Sequence, residues 1–251
     1  MLLAIDAGNT NIVMAVYDGD EQLCFERIET HDDVGALFES LKVKFSDIQS
    51  ILVSSVVPNV NDHITDSAKS IFSISPVFVD YQMIGVEVNV DHPKEVGADR
   101  LVNAVAVIEQ YKKPAIIIDF GTATTFDVID NDGRYCGGVI APGINLSLEA
   151  LHNAAAKLPD VPIKKPETVT GKNTVHAMQS GLYWGYIGMI EGTLKRLSNE
   201  MGVTPFIIAT GGLAPLFAEG TDVIETTDEN LTMKGLVAIH NVRMQKEQQC
   251  A

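Results

Sequence analysis

Cysteine is scarce: Cys24, Cys136 and Cys250 are odd in number, widely spaced and form no Cys-x-x-Cys pair. A disulfide framework is excluded on that count, and a reduced, cytoplasmic chain is expected. The six histidines are scattered with no i, i+4 pair, which argues against a zinc site. Basic residues are few, 18 Lys and Arg against 33 Asp and Glu, for a formal net charge of −15. Such a surface opposes non-specific binding to nucleic acid or to an anionic membrane. No apolar run approaches the ~18 residues of a membrane span. The N-terminal strand pattern meets Asp6 at once, unlike a signal peptide. Neither G-x-x-x-x-G-K-[ST] nor G-x-G-x-x-G occurs, which argues against a P-loop and against a Rossmann dinucleotide site.

What is present is enough for a folded, two-domain protein. The 251 residues are 46% hydrophobic and 20% charged, a balance that buries a core. The stretch Leu2-Leu3-Ala4-Ile5-Asp6-Ala7-Gly8-Asn9-Thr10-Asn11-Ile12-Val13 organises the reading. Apolar residues lead into an acid, small polar residues follow, and a second apolar run begins, so the pattern predicts strand, tight turn, strand. A turn of this kind can aim several backbone N–H groups at phosphate oxygens, and Gly8 allows close approach. Asp6 at a strand end suits a hydrated Mg²⁺ better than phosphate itself. The plainer alternative is a hairpin whose Asn and Asp serve only the turn.

A second copy favours the functional reading. Ile116-Ile117-Ile118-Asp119-Phe120-Gly121-Thr122-Ala123-Thr124-Thr125 repeats the grammar of apolar strand, Asp, one residue, Gly and small hydroxyl residues. Phe206-Ile207-Ile208-Ala209-Thr210-Gly211-Gly212 is again strand, then glycine. Two similar halves and a third glycine loop resemble the ATPase core shared by actin, sugar kinases and heat-shock chaperones. That resemblance implies an α/β fold of two duplicated ribonuclease H-like domains, with mixed sheets flanked by helices, closing over a nucleotide.

Between the copies, helices are expected over 31–45, capped by Thr30 or Asp32, and over 61–72, with Pro58 ending regular structure before it. Gly97-Ala98-Asp99-Arg100 stands where a helix over 101–110 begins; Asp99 reads either as a helix cap or as a functional carboxylate. Lys112-Lys113-Pro114 is the best domain boundary, giving halves 1–113 and 114–251. In the second half a helix runs through Leu148, Leu151 and Ala155. A long one over 180–201 carries Gly181, Gly185, Gly188 and Gly192, costly for a helix but suited to close approach of another. The last helix, 233–245, is expected to pack back across the sheet.

Taken in order, Asp6-Ala7-Gly8-Asn9-Thr10-Asn11, Pro93-Lys94-Glu95-Val96-Gly97-Ala98-Asp99-Arg100, Ile118 to Thr125 and Gly137-Gly138-Val139-Ile140-Ala141-Pro142-Gly143 closely resemble the type III pantothenate kinases. The resemblance runs over nearly the whole chain. It implies that Asp6 to Val13, with Ala7, Asn11 and Ile12 among them, and Thr122 bind ATP. Gly97, Ala98, Asp99 and Arg100 would bind pantothenate, with Asp99 as proton acceptor, and Thr174 would contact the substrate. Asp119 would hold K⁺ or NH₄⁺, and Mg²⁺ would accompany ATP. The glycine-spaced helix over 180–201 predicts a homodimer built largely on the second half, and by resemblance Thr174 would complete the partner's site. One departure is Val90, where many relatives carry Tyr against pantothenate. By the repeat alone Asp119 should hold a second Mg²⁺; by resemblance it holds a monovalent cation. The alternatives to a pantothenate kinase are another small-molecule kinase or phosphohydrolase of the superfamily, or a non-catalytic regulator switched by nucleotide.

Overall fold

A computed structural model describes residues 1–154 and 158–250; Ala155, expected in the fourth helix, lies outside them. By contact density the chain divides into two compact units, Met1–Tyr111 with the segment from Asn230 onward, and Lys112–Glu229. The first crossing falls in the charged segment before Pro114. The second differs from the division 1–113 and 114–251 read from the sequence, because the last helix packs in the first unit.

The first unit opens with a meander, β1 (Leu2–Ala7), β2 (Asn11–Asp18) and β3 (Glu21–Glu29). It continues through α1 (Val34–Lys44), β4 (Ser50–Ser55), α2 (Pro58–Phe72), β5 (Val77–Phe78) and α3 (Ala98–Gln110). The second repeats the strand order with two helices before its fourth strand: β6 (Ala115–Phe120), β7 (Ala123–Ile129), β8 (Tyr135–Pro142), α4 (Ile144–Ala154), α5 (Thr174–Met201), β9 (Phe206–Thr210), α6 (Ala214–Ala218) and β10 (Thr226–Thr227). Strand order is β3-β2-β1-β4-β5 in one sheet and β8-β7-β6-β9-β10 in the other. In each, three antiparallel strands join two parallel ones. The duplicated ribonuclease H-like arrangement is therefore present strand for strand. Even the irregularity repeats, with a register shift between Val16 and Tyr17 in β2 and between Asp127 and Ile129 in β7.

Alternation along the strands sets two faces. In the first unit Leu3, Ile5, Ile12, Met14 and Val16 pack with Val34, Phe38 and Leu41 of α1 and Ile64, Ala68 and Phe72 of α2. The opposite face, with Leu2, Ala4 and Leu52 fully or nearly buried, is closed by α3 and by α7 (Leu231–Cys250). Seven consecutive residues of α3, Leu101 to Val107, are buried. The α3–α7 approach is close: a Cβ on Gly235 would stand 2.1 Å from the Val102 carbonyl oxygen. Thr232 Oγ1 donates to Asn103 Oδ1 at 2.8 Å across the same contact. In the second unit α5 covers Ile116, Ile118, Phe126 and Ile207, and Phe217 stacks on Phe120.

Several helix starts differ from expectation. Asp33 caps α1, its Oδ1 accepting from Gly35 N at 2.9 Å, whereas Asp32 accepts from Glu29 N in the preceding turn and Thr30 bonds to Gly8. Pro58 opens α2 rather than ending structure, as its missing N–H allows in a first turn. Asn173 caps α5, with Thr174 its first residue. No helix among the described residues is long and apolar enough to cross a membrane.

Candidate active site

The first Asp-Gly turn is held from below by the end of β3. Gly8 N donates to Asn11 O at 2.9 Å and closes the turn. Thr30, only 4% exposed, donates through Oγ1 to Gly8 O at 2.7 Å and through N to Thr10 O at 3.1 Å. One residue thus pins both sides of the loop and leaves Asn9 and Thr10 exposed at its tip. Sequence reading gave Thr30 to the helix; its spacing 20 residues beyond Thr10 carries no local signal.

Asp6 is the one polar side chain of β1. Register places it between Val13 of β2 and Ser54 of β4, with Arg27 of β3 beyond Val13. Burial pushes its carboxyl up to about 7; the nearby charge of Asp99 adds to this, while the Ser54 hydroxyl and Arg27 oppose it. Asp99 comes from the first turn of α3. Its Oδ1 accepts from Arg100 N at 2.8 Å. Burial raises this carboxyl too, outweighing the Arg100 N–H and guanidinium that favour the charged form. The N-cap position belongs to Gly97, which makes no side-chain capping bond, so Asp99 is not the cap. A Cβ at Gly97 would lie 2.5 Å from Asp99 Oδ1, so glycine there clears the carboxylate. Structure therefore joins Asp6 to Val13 and Gly97 to Arg100 within one unit. Val90 is half-buried in the irregular segment between β5 and α3.

In the second unit the turn is one residue tighter, with Gly121 N donating to Ala123 O at 3.1 Å. Two further glycines seat against it. A Cβ on Gly143 would stand 2.2 Å from Thr122 O, and one on Gly211, where φ is +89°, would stand 2.6 Å from Phe120 O. The row equivalent to that of Asp6 runs Ile140, Thr125, Asp119, Thr210. Asp119 is thus flanked by two hydroxyl residues, where Asp6 has a valine, a serine and a second carboxylate nearby. Thr174, at the start of α5, is exposed. Among the described residues no cluster of three His, Cys, Asp or Glu side chains could hold a metal ion by itself.

The donor sets nevertheless suit two kinds of cation. Mg²⁺ keeps several waters and needs only one or two carboxylates when phosphate supplies the rest, and a buried, mutually repelling carboxylate pair favours such an ion. Asp119 between two threonines offers several oxygens around a single negative charge.

Comparison with known proteins shows family and fold. The family model for type III pantothenate kinase matches residues 2–196. A type III pantothenate kinase of Paramagnetospirillum magneticum is 52% identical over 251 aligned positions, covering 96% of each chain. Among solved structures, a conserved putative Baf family transcriptional activator from Campylobacter jejuni aligns with TM-score 0.65 at 18% identity, covering 97% of this chain and 99% of that one. A putative N-acetylglucosamine kinase from Porphyromonas gingivalis aligns with TM-score 0.52 at 12% identity, over 97% and 100% of the two chains. At these identities the structural matches speak for the fold alone.

Proposed function

The chain belongs to the type III pantothenate kinase family, and from that premise we propose that it transfers the γ-phosphoryl group of ATP to the hydroxyl of pantothenate. The product is 4'-phosphopantothenate, on the way to coenzyme A. The observation that carries the residue-level reading is the convergence of the Asp6 turn and the Asp99 helix start in one electrostatic unit.

Phosphoryl transfer asks the protein mainly for positioning and charge stabilisation. The turn Asp6 to Val13 presents backbone N–H groups to the phosphates, and Thr122 is a further ATP contact. Asp6 would hold a hydrated Mg²⁺, which would supply charge neutralisation at the phosphates. Gly97 to Arg100 receive pantothenate, whose carboxylate suits the Arg100 fork. Asp99 accepts the hydroxyl proton as the oxygen–phosphorus bond forms and ADP departs. A carboxylate raised by burial is the stronger base for this task. Asp119, with Thr125 and Thr210 beside it, would hold K⁺ or NH₄⁺ rather than a second Mg²⁺.

An ADP-release assay tests both levels. Pantothenate-dependent ADP release in the presence of Mg²⁺ is expected, faster with K⁺ than with Na⁺. Asp119→Asn is expected to lower turnover and remove the difference between the two salts. A variant that responds to K⁺ like the parent moves the cation site elsewhere, and no pantothenate dependence at all rejects the activity.

The active form is a cytoplasmic homodimer built on α5. Added Cβ atoms on Gly181, Gly185 and Gly188 would meet nothing within 4 Å in their own chain, so this face is open to a second helix. Leu146 and Leu151 of α4, 47% and 39% exposed, add apolar surface in the same unit. Thr174 then serves the partner's site. Sedimentation velocity is expected to show a dimer that Gly185→Glu dissociates; a fully active monomer at assay concentration contradicts the assignment.

A further inference from the structure

Arg27 is an exposed guanidinium on the edge strand β3, and it takes part in none of the ion pairs among the described residues. Most cationic side chains in an acidic chain of this composition have carboxylates to approach. Arg27 instead lies in the row Ser54, Asp6, Val13, Arg27, on the sheet face that carries Asp6. Side chains paired across neighbouring strands point to the same face. Two strand spacings of about 4.8 Å put its Cα about 10 Å from that of Asp6, a gap of the scale of a polyphosphate chain. Val13, between them, contributes no charge and no long side chain. The Asn9-Thr10 tip, pinned by Thr30, lies at the same end of the sheet, since Asn11 pairs with Glu29 one turn of the ladder from Arg27.

The internal repeat supplies an independent comparison. At the equivalent place in the second unit, beyond Asp119 and Thr125, stands Ile140, 65% exposed. The two copies share the acid and the glycine turn and differ in this outer position. The charge stands at this place in the first unit alone.

We propose that Arg27 is a phosphate-binding residue of this site, contacting the terminal phosphates of the nucleotide from the β3 side while Asp6 faces them from β1. The proposal rests on the assignment of the Asp6 turn to ATP. Arg is suited to the role because its planar fork gives two parallel donors to phosphate oxygens and stays charged at any working pH.

The test is titration of the full chain with ATP, ADP and AMP in the presence of Mg²⁺, using Arg27→Ala and Arg27→Gln, the latter keeping most of the reach without the charge. Both are expected to weaken ATP by about 10- to 100-fold, as loss of a hydrogen bond to a charged group does. ADP should weaken less, and AMP hardly at all. Arg27→Lys should recover part of the loss, and the melting temperature without ligand should stay at the parental value. A purely structural arginine would move the melting temperature and weaken all three nucleotides alike, which would overturn the assignment. Asp6→Asn is measured beside them. Parental ATP affinity in the Arg27 variants with weakened affinity in Asp6→Asn rejects Arg27 alone. Parental affinity in both rejects the ATP assignment of the turn and the proposal with it.

Discussion

Asp99→Asn is expected to lower kcat by roughly 10²-fold or more, equivalent to about 2.7 kcal/mol in the barrier, with the fold intact. The substitution is nearly isosteric, so the clearance that Gly97 provides remains. Asn can still accept from Arg100 N, the bond that Asp99 Oδ1 makes at 2.8 Å. What it cannot do is take a proton from the substrate hydroxyl. The competing account, a helix cap, predicts a different outcome: about 0.5–2 kcal/mol of stability lost and most activity kept in the folded fraction. Geometry already weakens that account, since Gly97 holds the cap position. Burial raises the Asp99 carboxyl above its ordinary value, so the acid limb of kcat/KM should lie above the usual aspartate range. That limb should vanish from the residual activity of the variant. Near-parental kcat in Asp99→Asn would remove Asp99 from proton transfer.

Much of this arrangement was legible in residues. The strand-Asp-x-Gly grammar found both hairpins because it is local: apolar alternation, an acid at the strand end, and a glycine at the tip. The repeat then implied the duplicated fold, and the two sheets share one strand order. Helix starts were less legible. Pro58 reads as a breaker but is equally at home in a first turn, and the choice between Asp32 and Asp33 as a cap is a matter of one residue. Contacts distant in sequence left no local trace. Thr30 holds a turn 20 residues upstream, and Gly235 exists to admit the carbonyl of Val102. For the same reason the support of α3 by α7 went unseen. An apolar helix at the end of a chain announces that it packs, not against which unit. The dipole of a helix start favours the ionised form of a carboxylate such as Asp99. Burial outweighs that effect, a comparison that needs the neighbours of the side chain and not only its place in a helix.

Asp6→Asn is expected to separate stability from function in opposite directions. Without ligand, the folded protein carries the Asp6 carboxyl at about 7, raised from 3.8 chiefly by burial and then by Asp99. The unfolded chain releases that proton near the ordinary value. Between these limits the folded state binds more protons than the unfolded one, so stability falls as pH rises from about 4 to about 7 and then levels off. At about 1.4 kcal/mol per unit, the cost at pH 8 has an upper bound of roughly 4 kcal/mol, and solvent reaching this half-buried group reduces it. Asn carries no charge and keeps a similar shape. The variant should therefore melt above the parent at pH 8, with the difference shrinking toward pH 4. Addition of ATP and Mg²⁺ should reverse the order, because ligand binding stabilises the parent by mass action and the variant lacks the carboxylate proposed to receive the ion. Turnover should fall with it. Thermal melts at pH 5 and pH 8, each with and without ATP and Mg²⁺, give the four comparisons. A ligand-free variant that melts below the parent at pH 8 would make Asp6 a structural carboxylate, its charge satisfied by the fold itself, and would leave the ion without its first ligand.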